Sequence, residues 1–192
     1  MKATQQLVDE HRAVSLMLKI LDSIFIKSKD TMIDLEDVKQ VIGFLKGFVD
    51  KCHHGKEEDI LFPELERRGM QKNGGPIGQM LFEHQTGRSC IAEMNTAVEL
   101  LENGESEAGQ RLYDAGRQYI DLLVSHIEKE NQVLFKMADS LIDEITQDRL
   151  YDEFESLEIE RMGPGQHERY HELLKDLAAK YLGSKGEHHH NT

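Results

Sequence analysis

Two stretches of this 192-residue sequence place an imidazole and a carboxylate four residues apart. They are His53-x-x-x-Glu57 and His126-x-x-x-Glu130, set in strings that both read His-x-x-Lys-Glu-x-x-(Ile/Val)-Leu-Phe. On a helix, side chains at i and i+4 share a face about 5–6 Å apart. Each pair therefore aims two common metal-ligand types at one point. The second string follows the first by 73 positions, and the same offset relates Glu10-His11 to Glu83-His84. In each half the lone His precedes its His-x-x-x-Glu by 42 positions. Four landmarks at one offset indicate an internal duplication. What the halves share is a ligand set: His11, His53 and Glu57 in the first, His84, His126 and Glu130 in the second.

The elements that must carry these residues are helices. Leu7, His11, Val14, Leu18, Leu21 and Phe25 recur in steps of four and three, the seam of one helix over about residues 4–28. Asp34 is a plausible N-cap for a second helix, with Glu36 and Asp37 in its first turn, running to about Arg68. Its stripe is Val38, Ile42, Leu45, Val49, His53, Glu57 and Ile60. Lys72-Asn73-Gly74-Gly75-Pro76 is the strongest breaker and separates the halves. The third stripe holds Met80, His84, Gly87, Ile91 and Met94; the fourth holds Leu112, Tyr119, His126, Glu130 and Val133. Four long amphipathic helices with short connections imply an all-α fold, an up-down-up-down antiparallel four-helix bundle over residues 1–140. Residues 141–182 do not repeat. They predict a C-terminal helical extension, broken at Gly163-Pro164-Gly165, whose apolar face packs on the bundle. Residues 183–192 are expected to be a flexible tail, so His188, His189 and His190 are left out of the site.

Composition narrows the function. A net charge of −13 argues against nucleic acid and anionic membrane as partners, since both demand basic patches. No run approaches the roughly 18 apolar residues of a membrane span. The first residues lack a signal-peptide core. Two Cys outside any CxxC suit reduced thiols, so the expected compartment is the cytoplasm.

Carboxylates at 57 and 130 on apolar stripes cost several kcal/mol each to bury unless paired or coordinated. A metal offsets that cost. His54 and Glu58 form a second His-x-x-x-Glu, but their counterparts 73 positions on are Ile127 and Asn131. The register therefore assigns His53 and Glu57 to the site and leaves His54 and Glu58 beside it or at the surface. Glu10 and Glu83 match across the halves, yet adjacent helical residues face differently, so they too are expected to flank the ligands. Four imidazoles and two carboxylates without thiolate suit iron or manganese; zinc fits less well. Two halves each giving two His and one Glu more naturally hold two metals bridged by carboxylates at about 3.5–4 Å. Tyr119 and Cys52 read as packing residues beside the site.

This pattern resembles the hemerythrin-like, HHE cation-binding family: His11, His53-x-x-x-Glu57, His84 and His126-x-x-x-Glu130, with Glu57-Glu58-Asp59-Ile60-Leu61-Phe62-Pro63 also similar, over about residues 5–138. The resemblance implies a non-haem centre of two iron ions, in either the Fe2+ or the Fe3+ state. Such a centre binds or reacts with O2, NO or peroxide, in sensing, detoxification or iron handling. Two alternatives are an iron-dependent peroxidase-type enzyme and a non-catalytic iron donor or repair protein for other iron centres. Repair-type relatives carry an N-terminal Cys-bearing region not seen in this sequence, which lowers that reading. Whether the protein is an enzyme stays open. O2-carrying members have a further His one turn after the third-helix His, five in all, where Arg88 stands here. A missing imidazole leaves one iron more open, which favours redox reactivity or a substitute ligand. His167 of the extension is the candidate substitute and His171 a weaker one, against the plainer reading of His167 as a capping or surface residue in a first helical turn.

Overall fold

The computed structural model describes residues 2–28 and 32–183; the expected tail from 184 onward lies outside them. Among the described residues the structure is all-helical, with six helices. Helix α1 is Ala3–Lys27. Helix α2 covers residues 35–67, starting as Leu35–Phe44 and ending as Phe62–Arg67. Between these ends, Leu45–His54 and Glu57–Leu61 wind as wider π-helical turns with i→i+5 hydrogen bonds. Helix α3 is Pro76–Glu102. Helix α4 covers residues 108–141, as Ala108–Lys129, a π turn at Glu130–Leu134, and Phe135–Leu141. Helices α5 and α6 are Glu144–Met162 and Gln166–Leu182.

Local chemistry sets these boundaries. The Asp34 carboxylate accepts from the backbone N–H of Glu36 and Asp37, satisfying donors that the first turn of α2 leaves orphaned. Gly69, at φ +96°, lets the chain leave α2, and Pro76 opens α3 at a position that needs no N–H. Asp143 caps α5 through the Thr146 N–H at 2.8 Å. Among the described residues no helix is long and apolar enough to cross a membrane.

The apolar core forms two clusters. One contains Val14 and Leu18 of α1, Leu45 and Val49 of α2, Cys90 and Met94 of α3, and Tyr119 and Leu123 of α4. The other contains Leu7, Leu61, Met80 and Leu134 from the same four helices. The break between them falls at His11, at 53–57, at His84 and at 126–130. The ligand candidates thus make one polar layer between two dry ones.

The extension packs mainly against the first two helices. Helices α5 and α6 lie against α1 and α2. Tyr170 of α6 meets Phe44 and Phe48 edge-on, with ring centroids 5.4 and 6.0 Å away. Gly47 makes this approach possible, because a Cβ there would collide with the Tyr170 hydroxyl. Arg161 of α5 pairs with Asp59 and donates to the Lys51 carbonyl.

Candidate metal centre

Four helices bring the polar layer together. Ligand atoms of His11, His53, Glu57 and Glu130 lie within 4.8 Å of one another, and so do those of His54, Glu57, His84 and His126. All seven side chains are buried. Imidazole Nε2 atoms converge in pairs: His53 and His11 at 3.0 Å, His84 and His126 at 3.2 Å. The two carboxylates span these pairs. Glu57 sets Oε1 3.8 Å from His53 Nε2 and Oε2 3.4 Å from His84 Nε2. Glu130 sets Oε2 3.1 Å from His11 Nε2 and Oε1 3.3 Å from His126 Nε2. Each carboxylate therefore faces one group with one oxygen and the other group with the second, the disposition of a bridging ligand.

The imidazoles are oriented from behind. His53 Nδ1 donates to Glu10 at 2.7 Å, His126 Nδ1 to Glu83 at 2.9 Å, His84 Nδ1 to Glu58 at 2.7 Å and His11 Nδ1 to Asn131 at 2.9 Å. Fixing the N–H on Nδ1 leaves the Nε2 lone pair facing inward, the arrangement that metal-binding histidines use. These contacts repeat the duplication. Glu10 and Glu83 match at 73 positions, as do Lys56 and Lys129, which pair with them, and Glu58 and Asn131, which cross to the lone His of the other half.

Electrostatics mark the layer as needing cations. Both oxygens of Glu57 and of Glu130, and both ring nitrogens of His54, are buried without a hydrogen-bond partner. Burial alone would raise the Glu130 carboxyl, but the neighbouring imidazoles of His126, His11 and His84 outweigh it and bring it to about 2. Burial likewise opposes charge on His84, yet Glu57 and Glu58 push it up to about 9. His54 moves the other way: burial, with His84, His53 and His126 around it, holds it well below the ordinary range. A neutral, desolvated imidazole is a ready ligand. Two cations would satisfy all of these atoms, so the residues present fit a two-metal centre.

Two placements correct the sequence reading. His54 is not at the margin. Its ring stacks on His84 at 3.7 Å between centroids, inside the second group. His54 thus adds a fifth imidazole to those facing the layer. The π turn over Leu45–His54 explains this, since a wider turn separates consecutive side chains by a smaller angle than an α-helix does. Neither His167 nor His171 joins either group. His167 Nδ1 instead bonds Glu158 at 2.7 Å, and the His167 side chain is 38% exposed. Arg88 bonds Asp50 and Glu58, both at 2.7 Å, and stands behind His84.

Residues that carried no signal alone complete the surroundings. Lys56 is fully buried, with Glu10 at 2.5 Å and Glu158 at 2.6 Å. This links α5 to His53 through Lys56 and Glu10. The repeat around Lys56 and Lys129 was visible in the sequence, but Glu158 lies in the unrepeated extension. Cys52 is buried 3.9 Å from Glu158, and its thiol is pushed up to about 12 by burial and by Glu10 and Glu158, against the pull of Lys56. Tyr119 is buried with its hydroxyl unpartnered, packed near Gly87 and outside both groups.

Comparison with known proteins agrees with this geometry. A family model for the hemerythrin HHE cation-binding domain matches residues 2–138. The chain belongs to the hemerythrin HHE cation-binding family. Among curated relatives of this HHE domain, the iron-sulfur cluster repair protein DnrN of Neisseria gonorrhoeae is 30% identical over 100 residues, 50% of this chain and 64% of that protein. The iron-sulfur cluster repair protein YtfE of Yersinia pestis is 32% identical over 91 residues, 45% of this chain and 40% of that protein. The alignments thus span less than two thirds of either relative. No solved structure matches the chain.

Proposed function

We propose that this protein is a cytoplasmic non-haem di-iron protein that binds or reacts with a small oxidant or gas: O2, NO or peroxide. The observation that carries it is the pair of fully buried carboxylates, Glu57 and Glu130, unpartnered between two sets of inward-facing imidazoles. In this reading His11 and His53 would hold one iron, and His54, His84 and His126 the other, with Glu57 and Glu130 shared between them on four ligand-bearing helices that run up-down-up-down. When bound, two irons would supply redox chemistry and open coordination positions for a small ligand. The first group offers two imidazoles against three in the second. A surface cleft lined by Val8, His11, Arg12, Ser15, Ile127 and Asn131 leads to that side. The chain's own residues fix the ring tautomers through Glu10, Glu58, Glu83 and Asn131, and the two apolar clusters keep water from the layer.

The testing experiment is elemental analysis of anaerobically iron-loaded protein, followed by optical spectra on admitting O2, NO or peroxide. About two irons per chain are expected, with Glu57→Ala losing most of them. One iron or none in the unmodified protein after loading would sink the reading.

The relatives, both iron-sulfur cluster repair proteins, favour a second reading, iron donation to or repair of another protein's iron-sulfur centre. Transfer of labelled iron from this protein to an apo iron-sulfur acceptor distinguishes the two. Transfer supports repair, and retained iron with reversible ligand spectra supports binding or sensing.

A further inference from the structure

The His167–His171 pair on the first turns of α6 has no part in the central groups, yet it is arranged like a ligand set. His167 and His171 are one helical turn apart, and their Nε2 atoms face each other at 2.9 Å. That spacing matches two cis ligands on one ion, given metal–nitrogen bonds of about 2.0–2.1 Å. The orientation of His167 is fixed in two ways. Its Nδ1–H donates to Glu158 Oε1 at 2.7 Å, and its ring packs edge-on to Phe48 with centroids 6.1 Å apart. A carboxylate behind Nδ1 and an Nε2 that faces the second imidazole in front repeat the device that orients His53, His84 and His126 at the centre. His171 is exposed and His167 partly so, which leaves room for water to complete a coordination shell.

We infer that His167 and His171 form a separate surface site for a divalent transition-metal ion of the imidazole-binding class, such as Zn2+, held by the two Nε2 atoms and water, with Glu158 orienting His167. The site does not share a ligand with the central layer. It touches it only through Glu158, whose other oxygen holds Lys56.

The test is a Zn2+ titration of the iron-loaded full chain in which His188, His189 and His190 are each replaced by Ala, so that they cannot compete. Calorimetry gives affinity, and elemental analysis counts zinc and iron together. The expected result is one zinc per chain with the iron retained. That zinc is lost in His171→Ala, an exposed change that leaves the fold intact, and in His167→Ala. Glu158→Gln is expected to weaken it about 10-fold or more. Absence of zinc binding below millimolar concentration overturns the site, as does a zinc that persists in His171→Ala or one that merely replaces iron. The wild-type versus His171→Ala difference is equally readable in protein without iron, so failure of the di-iron reading is separable from failure of this one.

Discussion

His54 is the residue whose removal best reveals how the donors are divided. Taking its ring away leaves His84 and His126 with the shared carboxylates and opens a buried gap where the His84 ring had a stacking partner. His54→Ala is expected to weaken one of two bound metals by at least the 10–100-fold that changes behind a ligand commonly cost, leaving the other in place. His167→Ala is expected to leave central metal content unchanged. Equilibrium dialysis against iron with elemental analysis checks both, and two tightly held irons in His54→Ala would remove it from the donor set. The other central residues were legible because duplication writes them twice. His54 was hidden by that same logic, since Ile127 at the matching position has no ligand atom. What brings it inward is a backbone irregularity, and hydrophobic periodicity does not report a π turn.

At the scale of elements, the extension breaks the symmetry that the sequence advertises. Lys56 and Lys129 are equivalent by the repeat, and each pairs with a Glu behind a ligand histidine. Lys56 is capped by Glu158 of α5 and has no exposed surface, whereas the Lys129 side chain is 39% exposed. Removing one partner of a buried ion pair leaves an uncompensated charge and costs about 3–5 kcal/mol, while exposed pairs contribute about 0–1 kcal/mol. Lys56→Met is therefore expected to destabilise the fold by about 3 kcal/mol or more and Lys129→Met by less, since Lys129 is partly solvated and Glu83 keeps His126 and Gln79 as partners. Urea unfolding of the two variants measures the difference; equal losses would mean that α5 does not seal the first half. Helix ends and stripes in the first 140 residues were readable from caps, breakers and steps of three and four. The contact of α5 and α6 with the centre was not, because Glu158 sits on a segment with no repeat to compare and its partner is more than 100 positions away.

For the whole molecule, the polar layer between two apolar clusters makes metal and proton alternative sources of positive charge. Without metal, Glu57 and Glu130 are balanced by imidazolium, and His84 is the clearest carrier of that charge, raised from 6.5 to about 9 despite burial. A group whose folded pKa is raised stabilises the fold fully below its unfolded value, and that contribution fades as pH rises through the folded one. Glu130, depressed from 4.5 to about 2, has the opposite dependence: its contribution is present above 4.5 and is lost as pH falls toward 2. His54, held below the ordinary range by burial, disfavours the fold once pH drops below 6.5, so metal-free protein is expected to be most stable near about pH 6.5, weakening below it and steadily from pH 6.5 to 9. The metal-loaded protein must reverse the upper limb, because ligation requires neutral imidazoles and becomes more favourable as they lose protons. Thermal melts of chelator-treated and iron-loaded protein across pH 5–9 should therefore diverge, with the stabilisation from metal smallest at pH 5 and largest near pH 9. Parallel curves would mean that the charge of this layer is balanced by something other than the exchange of protons for metal.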